Sequence, residues 1–359
     1  MSCPIQNTST NCEDNMPGED QNQEPIEVVA VSAEVNDELL NDHKGEHSGW
    51  YFAGTKKYLM PSIYKNEVNN FYHCPVREDD IWISTFPRSG TTLTQELVWL
   101  IRNNFDFETA KKLYLWERSP FFEANIVFHE KTKSMILKEN ENNDENIKLV
   151  ESQSCPGYLV IESMSSPRLI QTHFPLSLLP KEVNEKNCKI IYVARNPKDV
   201  VVSYYHLLQT WRTCNYVAPF PKFWKQFKEG LVPWGPHWSH VLEGWAHRYD
   251  PNVFFIFYED MMKDMVTTIY KIADFLSVPA PTDKVKALLE HVSLKSFREN
   301  PAVNYEIYKR IGLFEKDGVS FVRKGAKREK PEGLNNEIEN DIDDWMKENY
   351  EKDYLTFPS

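Results

Sequence analysis

Three apolar, β-rich runs constrain this chain more than any other feature: IWIS at 81–84, KIIYVA at 189–194 and VFFIFY at 253–258. None alternates strictly between apolar and polar residues, so each is suited to a strand buried on both faces rather than to a sheet with one wet side. Helical patterns separate them, the helical candidates being 91–103, 199–208 and 237–248, with 265–276 and 337–349 beyond the third run, and strands joined through helices run parallel. The expected class is α/β: a single domain with a central parallel sheet flanked by helices. No internal repeat is found. In such sheets ligands sit at the carboxyl ends of the strands, and Arg88 and Arg195 stand just past the ends of the first two runs.

The first run continues as IWISTFPRSGTT, from strand into a short turn of Pro87, Arg88, Ser89 and Gly90, then into Thr91 and Thr92 at the head of a helix. Leu93, Leu97, Leu100 and Ile101 recur at helical spacing, so this helix has one buried face and a fixed axis. Its N-terminus then aims free N–H groups and the positive end of the helix dipole at the turn. Gly90 allows close backbone approach and Arg88 adds a charge. The segment is a strand–turn–helix cradle for a phosphate-like anion. It is P-loop-like but no ordinary nucleoside triphosphate loop, which needs two glycines with four residues between them followed by Lys and Ser or Thr.

Composition narrows the partners. With 359 residues, 41% hydrophobic and 13% aromatic, the chain can bury a sizeable core. A net charge of −12 argues against nucleic acid or an anionic membrane surface as the main partner. The six cysteines, at 3, 12, 74, 155, 188 and 214, form no CxxC pair and no metal-like Cys/His spacing, and a chain this long needs no disulfide framework. No apolar run reaches transmembrane length, and the first twenty residues are polar and acidic rather than a secretion signal. The expected location is cytoplasmic. Residues 1–45 are rich in Asn, Glu, Asp, Gln and Ser, with only EVVAVSAEV to bury, and are expected to form a disordered acidic arm outside a domain spanning 46–359.

The second run leads into ARNPKDVVVSYYH, where Ser203 lies eight positions, about two helical turns, after Arg195. A guanidinium fork and a hydroxyl so spaced suit a phosphate. His173 stands in IQTHFPLSLLP, and a neutral imidazole suits proton abstraction at physiological pH. Taken in chain order, RSGTT, THFPLSLLP, YVARNPKDVVVSYYH, FYED and RKG resemble the PAPS-dependent cytosolic sulfotransferases from about residue 78 to 325. Within that family the chain is most similar in look to the retinol dehydratase branch, which also reads RSGTTxTQELVWLI and carries a longer segment between the first loop and the histidine.

The resemblance implies a set of roles. Arg88, Ser89, Gly90, Thr91 and Thr92 would hold the 5′-phosphosulfate of PAPS, with Arg88 in place of the usual Lys. Arg195 and Ser203 would hold the 3′-phosphate, Tyr258 would contact adenine, and Arg323, Lys324 and Gly325 would clamp the 3′-phosphate. His173 would be the general base, with Arg88 and Ser203 beside it in the catalytic set. No metal is demanded. The implied acceptor is a small apolar alcohol or phenol, hinted at by Phe121, Phe122 and Phe128 in the longer segment, though such residues more often belong to a core. Two further readings stand beside sulfonation: dehydration of an allylic alcohol through sulfonation, as in the resembling branch, and binding of the nucleotide or an apolar ligand with weak transfer.

Five departures from the family pattern matter. Gln171 replaces a lysine two residues before the histidine, a neutral group where a cation is expected. Leu93 and Leu294 replace two aromatic residues that sandwich adenine. After RKG, Arg328 and Lys330 replace a glycine and a tryptophan. The family's dimer motif is missing from PEGLNNEIEN, which leaves a homodimer open.

Overall fold

A computed structural model describes residues 26–318, 320–322 and 330–358. Among the described residues seven strands form two sheets. Strands β1 (Val28–Ala30), β2 (Trp50–Ala53) and β3 (Tyr58–Pro61) make an antiparallel sheet in that order. Strands β4 (Ile81–Thr85), β5 (Leu169–Thr172), β6 (Lys189–Ala194) and β7 (Val253–Phe257) make an all-parallel sheet in the order β5-β4-β6-β7.

The parallel sheet is buried on both faces, as its continuous apolar runs require. Trp82, Ile190 and Tyr192 point into one core, shared with Phe86, Phe174 and Tyr204. Ile81, Ile83, Ile191 and Val193 point into the other, against Leu97, Ile101, Ile269 and Ile272 of the covering helices. Neighbouring residues alternate between the two cores because successive side chains on a strand leave opposite faces. Helices Thr91–Arg102, Pro197–Thr210, His237–Ala246, Met265–Phe275 and Asn336–Asp353 occupy the five segments where helical spacing placed them.

Three features differ from expectation. Residues 28–42 belong to the fold, as β1 and the helix Ala33–Asp42, so the acidic arm does not extend to residue 45; residues 1–25 lie outside the described residues. Two residues explain the anchoring. Leu39 is fully buried in a small core with Trp50 and Leu59, and Asp42 takes an ion pair from Lys222 at 2.6 Å. The second difference is β5, whose four residues, LIQT, are too short and too polar to stand out. Its pairing with β4, Ile81 to Leu169 onward, makes it the sheet's edge strand. The third concerns sulfur: Cys74, Cys188 and Cys214 are buried free thiols, but Cys155 is disulfide-bonded. Among the described residues no helix is long and apolar enough to cross a membrane.

Candidate functional site

The carboxyl ends of β4, β5, β6 and β7 open onto one cavity of about 1560 Å³. At the end of β4 the chain turns through Arg88, with φ of 70°, and Gly90, with φ of 102°, before the helix Thr91–Arg102 begins. Gly90 is required twice over. Its left-handed φ disfavours any side chain, and a Cβ there would lie 2.5 Å from Tyr258 Cδ2. The helix N-terminus therefore stands against the Tyr258 ring with its first N–H groups facing the cavity.

Two arginines close round this turn. The Arg88 side chain donates from Nε to Ser203 Oγ at 2.9 Å and from Nη2 to the Phe321 carbonyl at 3.2 Å, and its guanidinium lies 4.7 Å from the Phe321 ring centre. Arg195 donates to the Arg88 carbonyl at 3.0 Å, pairs with Asp199 at 3.4 Å and stacks 4.5 Å over Tyr258. Two buried polar atoms here lack a partner among the described residues, Arg195 Nε and Ser89 Oγ. Unmet hydrogen-bonding atoms beside a helix N-terminus and two guanidinium groups fit an anion with several oxygens. Leu93, Leu294 and Tyr258 line the same cavity.

His173 follows β5 directly and is held at nearly every polar atom. Its Nδ1 lies 2.8 Å from the Thr85 carbonyl, so that nitrogen carries the proton and donates. Its backbone N–H donates to Glu123 Oε1 at 2.6 Å, and its carbonyl accepts from His240 Nε2 at 2.9 Å. Nε2 has no hydrogen-bond partner among the described residues, and His173 lines the cavity. Phe121 and Trp234 wall the ring, with centroids 5.2 and 5.3 Å away. Burial, with smaller contributions from the charges of His240 and Arg88, lowers the His173 pKa to about 3, keeping the imidazole neutral throughout the physiological range.

The rest of the cavity is aromatic. Tyr114 stacks on Trp116 at 4.2 Å, Trp116 meets Tyr308 at 5.4 Å, and Tyr305 meets Phe321 at 4.4 Å. Phe121 and Phe128 line it, whereas Phe122 is fully buried core. The helix Asp144–Gln153, from the long segment between the first loop and the histidine, turns Glu145, Lys148, Leu149, Ser152 and Gln153 toward it, a helical face of one residue in three or four.

Arg88, Gly90, Thr91, Thr92, His173, Arg195, Ser203 and Tyr258, singled out by sequence, thus line one cavity, with Ser89 inside its turn. Arg323, Lys324, Gly325 and Arg328 lie outside the described residues; Phe321, two positions earlier than Arg323, is anchored to Arg88. Sequence reasoning missed Thr85, Glu123 and His240, the residues that hold His173. Only Glu123 left a signal, a carboxylate set in the aromatic stretch PFFEAN.

Comparison with known proteins agrees with this geometry. Residues 78–353 match the family model described as the sulfotransferase domain. The chain is 35% identical over 299 residues to luciferin sulfotransferase of Photinus pyralis, covering 79% of this chain and 74% of that protein. It is 35% identical over 249 residues to human sulfotransferase 4A1, covering 69% and 76%. The crystal structure of retinol dehydratase in complex with androsterone and the inactive cofactor PAP superposes with a TM-score of 0.83 at 34% identity, over 93% of this chain and 98% of that one. A second crystal structure of retinol dehydratase, with retinol and PAP, gives the same score and identity.

Proposed function

This chain belongs to the sulfotransferase family and is a transferase of that class, and from that premise we propose that it moves a sulfonate from PAPS to the hydroxyl of an apolar alcohol or phenol. The observation that carries this reading is the single cavity with an anion cradle at one end, a free imidazole nitrogen in the middle and aromatic walls beyond. The residues present fit the nucleotide. Arg88 to Thr92 would hold the 5′-phosphosulfate, Arg195 and Ser203 the 3′-phosphate and Tyr258 the adenine. When bound, PAPS supplies the sulfonate together with PAP as leaving group. His173 Nε2 takes the proton of the acceptor hydroxyl as its oxygen bonds to sulfur. Arg88 and the N–H groups of Gly90 to Thr92 meet the charge that develops on the departing phosphate.

The likeness to retinol dehydratase favours a second outcome at the same site, in which an allylic alcohol is sulfonated and then loses the sulfate to give an alkene. Incubation with labelled PAPS and a panel of phenols, sterols and allylic alcohols tests both, with products read by mass spectrometry. Gain of SO₃ marks transfer and loss of water marks dehydration. Neither product from any acceptor, with PAP binding intact, would end the reading.

A further inference from the structure

Glu123 is a fully buried carboxylate that forms no ion pair with any described residue. Leaving a carboxylate in the interior without a cation costs several kcal/mol unless hydrogen bonds replace water. Here two do. Oε1 accepts the His173 backbone N–H at 2.6 Å and Oε2 accepts the Thr172 hydroxyl at 2.7 Å. The Thr172 hydroxyl in turn accepts the Phe174 N–H at 2.9 Å. One side chain thus fixes three consecutive residues just where β5 ends and His173 must turn its ring into the cavity.

The chain around Glu123 makes the tie tighter. Phe122 N–H donates to the Gln171 carbonyl at 2.8 Å, and Gln171 N–H to the Pro120 carbonyl at 3.0 Å, so residues 120–122 extend the sheet beyond β5. Phe121, the residue that bridges Gln171, packs its ring on His173. The segment that walls the acceptor chamber is therefore also the one that holds the imidazole. Burial pushes the Glu123 carboxyl up, to about 8, against the downward pull of its hydrogen bonds from Thr172 and His173, and in either protonation state Oε1 can accept the His173 N–H that orients the imidazole.

We propose that Glu123 is a positioning residue of the site: by gripping the Thr172 hydroxyl and the His173 backbone N–H it sets the direction in which Nε2 meets the acceptor hydroxyl. The inference rests on His173 acting as the base. A grip of this kind affects the chemical step and leaves nucleotide binding alone, since its hydrogen bonds among the described residues reach Thr172 and His173 rather than the anion cradle.

The test uses the full chain with PAPS and an accepted alcohol or phenol. Glu123→Gln keeps the shape of the side chain but offers a donor where two donors already point. We expect kcat to fall about 10- to 100-fold, as for a misplaced base, with PAP affinity unchanged within twofold. Two-dimensional ¹⁵N spectra of the histidine rings should show His173 as the Nδ1–H tautomer in the parent protein and as a mixture in the variant, a change that loss of stability alone does not produce. Thr172→Val is the second variant. It removes the two hydrogen bonds of the hydroxyl, to Glu123 and from the Phe174 N–H, but leaves the His173 contact, and should lose less than fivefold in kcat. If His173→Ala is inactive while Glu123→Gln keeps full kcat and an unchanged tautomer, Glu123 has no positioning role. If His173→Ala is as active as the parent protein, the base assignment itself is wrong and this inference goes with it.

Discussion

The two ends of the cavity are built by opposite means. The cradle end is made by a short contiguous segment: a buried strand, a turn with two left-handed residues and a helix N-terminus, to which Arg195, Ser203 and Tyr258 are added from the ends of β6 and β7 and the helix after β6. Part of its chemistry resides in backbone N–H groups at the helix N-terminus. The acceptor end is made by side chains from distant segments, among them Tyr114, Phe121, Gln153, Tyr308 and Phe314. No local backbone pattern defines it, and its shape is free to vary without disturbing the cradle. The difference implies that substitutions at one end change nucleotide binding and those at the other change turnover and choice of acceptor.

The largest expected effect tests the boundary between the ends. Changing His173 to Ala should lower kcat by about 10²–10⁴-fold, the usual worth of a general base, while PAP affinity measured by calorimetry stays within twofold. The pH profile adds a sign. Burial holds the His173 pKa down, to about 3, so the neutral, proton-accepting form prevails at every pH above that value. The rate should therefore show no acid limb from His173 between about pH 5 and 8. Loss of PAP binding along with kcat in the Ala variant would erase the division between the ends and make His173 a structural residue.

Next in size is a change confined to the cradle. Replacing Arg195 by Ala removes a stacked guanidinium whose Nε has no partner among the described residues. PAP, which carries a 3′-phosphate, should bind more weakly by about 1.5–3 kcal/mol, and adenosine 5′-phosphosulfate, which lacks it, should be almost unaffected. Equal losses for the two nucleotides would mean that Arg195 acts only by supporting the turn through the Arg88 carbonyl.

How much could be read from the sequence follows the same division. The parallel sheet, its covering helices and the cradle were legible because burial on both faces, helical spacing and the strand–turn–helix order are local patterns. So, within the known family order, were His173, Arg195, Ser203 and Tyr258. The edge strand β5 was not, since four residues with a glutamine among them carry little signal. Nor was β1, which three small apolar residues form in a polar surrounding and which owes its order to pairing with Phe52 and its neighbours. The residues that hold His173, namely Thr85, Glu123 and His240, reach it through tertiary contacts with sequence separations of 50 or more.

Gln171 lies where the two ends meet, with its main chain paired to the 120–122 segment and its side chain among those lining the cavity. A lysine there would add charge that helps as the bridging oxygen departs, and so should raise kcat more than affinity. In Gln171→Lys we expect a several-fold to roughly hundredfold faster turnover, about 1–3 kcal/mol of barrier. A folded Lys variant that binds PAP normally and is no faster would show that Arg88 already supplies the needed charge.

The smallest effect belongs to the far end of the acceptor chamber, where the helix Asp144–Gln153 presents polar groups to an otherwise aromatic space. Glu145 is paired with Arg310 at 2.8 Å, and Gln153 is bonded to the Tyr308 hydroxyl, which leaves Lys148 as the charge on that face with no ion pair among the described residues. It is exposed, so water and salt screen it, and an ion pair with a bound ligand is worth about 1 kcal/mol at most. Its influence should therefore fall on selection rather than rate. For acceptors of equal length, one ending in a carboxylate and one in a methyl group, Lys148→Glu should raise KM several-fold for the acid and leave the neutral alcohol unchanged, with kcat constant for both. The contrast should shrink as salt is raised, because a screened charge fades with the Debye length while a steric contact does not. A change in KM shared by both acceptors and indifferent to salt would assign Lys148 to the wall of the chamber and remove charge from the account of how that end chooses its substrate.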